Sequence, residues 1–113
     1  NTTLNVEVAT MIDMMETGIL PACAKDIAKY AAMPKLAGER ESVYTGIKAE
    51  TDKLRALIDK KPHDLKAEAT YLCDTVKPQM ATLRALVDKA EGLIERSLYP
   101  YPTYEELVYA HHA

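Results

Sequence analysis

The sequence predicts an all-α fold, an antiparallel three-helix bundle with a Pro/Tyr-rich C-terminal tail. Three observations carry the prediction. Apolar residues recur at steps of three and four through most of the 113 positions, the spacing that puts side chains on one helix face. The apparent connections, residues 34–37 and 61–63, are short and hold Pro34 and Pro62, so neighbouring helices must run antiparallel. The composition, 48% apolar and 27% charged, is that of an ordinary globular domain rather than a disordered segment. A chain of this length buries roughly 65% of its unfolded surface, enough for one core. One domain over residues 1–113 is expected.

The first helix is expected over about residues 3–33. Leu4, Val8, Met11, Met15 and Ile19 form its stripe, and Ile12 and Leu20 widen it as in a globular bundle. Pro34 should end it, because the residue before a proline is pushed out of helical geometry. The second helix is expected over about 36–60. Val43, Ile47, Leu54 and Ile58 mark its buried face, Thr51 fills the gap, and Gly46 lies inside it at a cost of about 1 kcal/mol relative to Ala. Lys60 and Lys61 suit the negative end of the helix dipole. The Glu39-Arg40-Glu41 run before it reads as a solvated turn.

The third helix is expected over about 63–98, opening on Asp64, an acid suited to the first turn. Its stripe is Leu65, Ala69, Leu72, Val76, Met80, Leu83, Val87, Ala90 and Ile94. Two consecutive steps of four fall next to Pro78, so the stripe survives the proline with a change of register. Pro21 and Pro78 are the anomalous residues, since a proline inside a helix removes a donor and collides with the preceding turn. Each marks either a kink or a break. The continuous stripe favours a kink at Pro78.

The tail departs from this pattern. Tyr99-Pro100-Tyr101-Pro102 should be extended. Thr103 and Glu106 make a T-x-x-E capping box, so a short helix is expected from Tyr104 to Tyr109, within a tail segment of 99–110. Four of the seven tyrosines lie here, in a chain with no Phe or Trp.

Composition also excludes function classes. Net charge is -3 with the signs interspersed, which argues against nucleic acid as a partner. No apolar run approaches the ~20 residues of a membrane span, and the first residues lack the pattern of a signal peptide. The chain does not begin with Met, which suggests a fragment or a processed product. A cytoplasmic location or the soluble compartment of an organelle is expected. No phosphate-binding glycine motif is present. His63 reads as a loop residue, and the adjacent His111 and His112 do not share a helix face, so they read as a tail. Cys23 and Cys73 are too few for a disulfide framework or a zinc site. Both are expected as buried thiols, not bonded to each other. If Pro21 and Pro78 lie at equal heights on parallel helices, the cysteines are roughly 10 Å apart at 1.5 Å per residue, beyond the ~7 Å a disulfide spans. Met11, Met14, Met15, Met33 and Met80 read mainly as core filling, with a peptide groove as the alternative.

Three stretches carry a resemblance. They are Leu4 to Met14 followed by Ile19-Leu20-Pro21-Ala22, then Val76 to Arg84 with Asp88 and Glu91, and finally Tyr99-Pro100-Tyr101-Pro102-Thr103-Tyr104-Glu105-Glu106-Leu107. In that order, over nearly the whole chain, they resemble the C-terminal helical domain of type III glutamine synthetases. Two departures stand out: Tyr99 replaces a bulkier aromatic, and the chain runs on as Tyr109-Ala110-His111-His112-Ala113. The resemblance implies a parent that ligates ammonia to glutamate at the expense of ATP, with Mg2+ or Mn2+ held by glutamates on upstream strands. It implies no catalytic, cofactor-binding or metal residue in this chain, which alone should not be an enzyme. The expected role is a non-catalytic structural or assembly domain. Its partners would be the rest of the parent and neighbouring subunits of a ring, not nucleic acid or membrane. The residues expected to serve structure or interface are Pro21, Pro78, Tyr99, Pro100, Pro102, Thr103, Tyr104, Glu106 and Leu107. The alternative is a free-standing helical protein-interaction module that binds a partner helix along the Met-rich first helix.

Overall fold

A computed structural model of the chain describes residues 2–102, with side chains from Thr3 onward. Thr103, Tyr104, Glu106 and Leu107, and with them the expected capping box and short terminal helix, lie outside the described residues. Among those described, all regular structure is helical, grouped into three rods.

The first rod is α1 (Thr2–Met14), a π-turn (Met15–Ile19) and α2 (Leu20–Ala28) in unbroken succession. Leu4, Val8, Met11, Ile12, Met15 and Ile19 are all buried, as their spacing requires. The π-turn explains Pro21. A proline offers no N–H and crowds the carbonyl four residues back. Here the N–H of Leu20, just before it, reaches five residues back to the Met15 carbonyl, a wider turn that makes room for the ring. The third rod repeats the device. It comprises α4 (Leu65–Tyr71), a π-turn (Leu72–Val76) and α5 (Lys77–Leu93), and the N–H of Lys77 bonds to the Leu72 carbonyl five residues back before Pro78. Neither proline breaks its helix.

The stripe of the third rod departs from expectation before Leu72. Leu65 is 81% exposed and Ala69 is exposed, while Glu68, which accepts from Asn5, and Tyr71, which donates to the Leu57 carbonyl, turn partly inward. From Leu72 on the stripe holds: Leu72, Val76, Leu83, Ala90 and Ile94 are buried.

Helix ends differ from expectation. α2 stops at Ala28, not at 33, because the N–H groups of Lys29, Tyr30 and Ala31 bond to carbonyls three residues back and tighten the last turn. Pro34 instead opens a 3-10 turn, Pro34–Ala37. Gly38 follows with φ 60°, a conformation open to glycine. The second rod, α3 (Arg40–Asp59), therefore starts four residues later than about 36. Asp64 caps α4 by accepting from the Ala67 N–H at 3.0 Å, a full N-cap. α5 ends at Leu93 because Ile94 turns extended, with ψ 136°, and a 3-10 turn, Arg96–Leu98, follows.

Side chains tie the rods together in a consistent register. Lys61 donates to Asn5 at 3.1 Å, Arg55 pairs with Glu16, and Arg40 and Tyr44 meet Asp26. Positions on the second rod thus fall as those on the first rise. Between the second and third rods, Tyr71 donates to the Leu57 carbonyl at 2.7 Å and Gln79 to the Glu50 carbonyl at 3.0 Å. A Cβ on Gly46 would lie 3.3 Å from Leu86, so the glycine whose helical cost the sequence leaves unexplained permits close approach of α3 and α5. First and third rods rise together, Asn5 meeting Glu68 and Asp26 meeting Glu95. That offset sets Pro21 level with residues well beyond Pro78, so the two prolines are not at equal heights.

Candidate functional site

Two constellations stand out, one polar and enclosed, the other apolar and open. The first gathers at the end of α2. Asp26 continues the buried stripe after Ile19, Ala22 and Cys23 and is itself fully buried. Its Oδ2 accepts from Arg40 Nε at 2.9 Å and from the Tyr44 hydroxyl at 2.7 Å, and its Oδ1 from the Glu95 backbone N–H at 3.0 Å. Arg40 also donates to the carbonyls of Leu93 at 2.7 Å and Ala37 at 3.1 Å, and its guanidinium lies 4.6 Å from the centre of the Tyr30 ring. One carboxylate thereby joins the end of the first rod, the start of the second and the end of the third. Burial pushes the Asp26 carboxyl upward, but hydrogen bonds from Tyr44, Glu95 and Arg40 outweigh it and hold the group below the usual carboxylate range. Burial, and then the bond to Asp26, push the Tyr44 hydroxyl far up. Arg40 is thus no part of a solvated turn. Periodicity could not pair it with Asp26, although an acid on an apolar stripe was a signal.

Cys23 is buried and Cys73 exposed, and both are free; the expectation of two buried thiols fails at Cys73. Burial, with Asp26 adding to it, raises the Cys23 thiol to about 11, which leaves it unreactive.

The second constellation is a groove of about 590 Å³ between the first and third rods. Met11, Met14, Met15 and Met80 line it. Met11 and Met15 belong to the core, whereas Met14 and Met80 are half-buried. Met33 lies outside the groove and is 57% exposed. Glu7, Asp88 and Glu91 stand on its walls with Arg84, and Val6 at its margin is 58% exposed.

The described part of the tail closes one end of this groove. Tyr99 is extended, φ -73° and ψ 120°, as the following proline requires. Its ring meets that of Tyr101 edge-on, with centroids 6.5 Å apart, a favoured aromatic geometry. The Tyr99 hydroxyl donates to Glu91 at 3.5 Å. Burial first, then the charges of Glu91 and Asp88, push it up to about 12. Tyr101 packs onto the π-turn of the first rod, where a Cβ on Gly18 would come 2.5 Å from its hydroxyl oxygen. Pro102 lines the groove and Pro100 is exposed. Tyr99, Tyr101 and Pro102 are therefore brought together, while Pro21 and Pro78 face outward on the two rods.

Among the described residues, no three His, Cys, Asp or Glu side chains are placed to hold a metal ion, and no helix is long and apolar enough to cross a membrane. No family model matches the chain, and no solved structure matches it. The curated type-3 glutamine synthetase of Dictyostelium discoideum is 32% identical over 133 aligned positions, which take in 96% of this chain and 18% of that enzyme. The chain spans less than a fifth of the length of the relative it matches. Over nearly all its length, this chain is related to one segment of a type-3 glutamine synthetase, the family that its three sequence motifs resemble.

Proposed function

We propose that this chain is the C-terminal helical domain of an enzyme of the type-3 glutamine synthetase kind, and that its role is structural: to pack against the body of that enzyme and support its assembly. The parent reaction would be the ATP-dependent ligation of ammonia to glutamate, with Mg2+ or Mn2+ as cofactor. Among the described residues no three candidate ligands for such a metal converge. Following the resemblance, we place nucleotide and metal in the remainder of that enzyme and assign this chain no catalytic residue.

The observation that carries the reading is the match along 96% of the chain to only 18% of the relative. The side-chain chemistry supports it. Two of the buried polar side chains join rods: Asp26 with Arg40, Tyr44 and Glu95, and Gln79 with Glu50. Such a network fixes a shape, and Asp26, the buried acid among the described residues, is fully engaged in it. We read the register of the rods as one antiparallel three-helix bundle, up-down-up, and residues 1–113 as one domain. Tyr99, Pro100 and Pro102, together with Thr103, Tyr104, Glu106 and Leu107, are proposed as interface residues, and Pro21 and Pro78 as the positions that set the two π-turns.

A second reading, a free-standing interaction module, is favoured by the open methionine groove. The mass of the native subunit separates the two: a subunit several times this length supports the domain reading, and one near 12.6 kDa defeats it. The purified chain should form no glutamine from glutamate, ammonia and ATP with Mg2+. Sustained turnover by the chain alone overturns the non-catalytic assignment.

A further inference from the structure

The groove between the first and third rods has a composition that specifies an occupant. Met11, Met14, Met15 and Met80 line the groove, beside Val6, Ile19 and Val87. Methionine side chains are flexible and polarizable, and they fit apolar groups of varied shape. Its walls carry three acids, Glu7, Asp88 and Glu91, against one base, Arg84. We propose that this groove is the docking site for a basic amphipathic helix from the remainder of the parent enzyme, its apolar face laid on the methionines and its Lys or Arg residues reaching the acidic walls. The proposal rests on the reading of this chain as one domain of a longer subunit.

Three features select this occupant. The groove touches the first rod from Val6 to Ile19, a rise of about 20 Å at 1.5 Å per residue. That length suits a helix presenting roughly three or four anchors at i, i+3 or i+4, and i+7. Its volume, about 590 Å³, suits such anchors rather than a whole helix. The wall charge disfavours the chain's own continuation beyond Pro102, because Tyr104-Glu105-Glu106-Leu107 brings two more acids against Glu7, Asp88 and Glu91, and like charges penalise a wrong partner. A source elsewhere in the subunit is ample, since the matched relative extends several times beyond the aligned segment.

The test uses methionine methyl NMR of the 113-residue chain, with two 18-residue amphipathic probe peptides, one of Leu and Lys and one of Leu and Glu. The Leu/Lys peptide should move the methyl signals of Met14 and Met80 and leave that of Met33, outside the groove, in place. The Leu/Glu peptide should bind at least tenfold more weakly. The double variant Glu7→Lys, Asp88→Lys should reverse that preference while keeping the helical circular dichroism of a folded chain. Equal binding of both peptides, equal movement of Met33, or no binding overturns the proposal. So does a truncation after Pro102 that tightens Leu/Lys binding tenfold, since the tail is then the occupant. In the full-length parent, the same double variant should weaken the holding of this domain, read as faster proteolytic release. Unchanged release there rejects the parent as the source of the helix, even when the peptide arm succeeds. Failure of the peptide arm, with a native subunit mass several times that of this chain, removes the docking site and leaves the domain reading intact.

Discussion

The end of the first rod and the groove beside its middle are built from opposite materials. At Asp26 a buried charge meets an arginine, a tyrosine hydroxyl and a backbone N–H, all supplied by other rods. In the groove, by contrast, Met14, Met80 and Val6 leave apolar surface open beside acidic walls. The knot is complete within the chain and can only serve its shape. The groove is open among the described residues, and its apolar lining beside acidic walls is what the docking proposal builds on. Structure is held at one place and offered at the other.

The largest effect expected is at the knot. Asp26→Ala leaves the buried Tyr44 hydroxyl without its acceptor and strips Arg40 of its carboxylate partner, leaving it only the Ala37 and Leu93 carbonyls; breaking a largely buried pair in this way costs about 3 kcal/mol. The melting temperature should fall by on the order of 15 °C, measured by circular dichroism. Acid should act on the same group. The folded pKa of Asp26 lies below its unfolded value of about 3.9, so its contribution to stability is present above about pH 4. It is lost as pH falls through the depressed folded value. Asp26→Asn should flatten that part of the pH–stability curve, and an unchanged acid limb contradicts the assignment.

Next in size is the aromatic closure of the groove. Ending the chain after Leu98 removes the partly buried Tyr99 and Tyr101, a loss of about 2 kcal/mol from apolar burial. Urea denaturation measures it, and an unchanged midpoint shows that the two rings add nothing to the bundle. Overpacking at Gly46 should cost about 1–3 kcal/mol in Gly46→Leu, because even a Cβ there stands 3.3 Å from Leu86. In Gly46→Ala the helix-propensity gain of up to about 1 kcal/mol opposes that contact, so the change should be small. Smallest of all, Glu7→Lys with Asp88→Lys should shift stability by under about 0.5 kcal/mol, since both are exposed. A large loss of stability there would place the groove walls among the elements that hold the fold.

Much of this comparison was legible in the sequence, though unevenly. The stripes of the first and second rods read through directly, since Leu4, Val8, Met11, Val43, Ile47 and Leu54 are buried as their spacing requires. The third rod was legible only after Leu72. The two prolines and the double step of four are visible in the sequence, but periodicity treats a helix as uniform and does not place a π-turn. Leu65 and Ala69 lose the inner face to Glu68 and Tyr71, whose polar bonds to Asn5 and the Leu57 carbonyl no apolar pattern foretells. The knot was missed for another reason. Arg40 sits between Glu39 and Glu41 and looks solvated, and its partner Asp26 lies across a turn whose path no local pattern fixes. The methionines were legible as residues but not as a groove, because their open side depends on how two distant rods align.

The most direct test of the account is the assembly mass of the full-length parent with and without this segment, by native mass spectrometry or analytical ultracentrifugation. Removing residues 1–113 of this chain from the parent should leave a folded body that assembles with fewer subunits than the intact enzyme. Assemblies of the same subunit count with and without the segment would contradict the proposal that this helical domain holds the enzyme together.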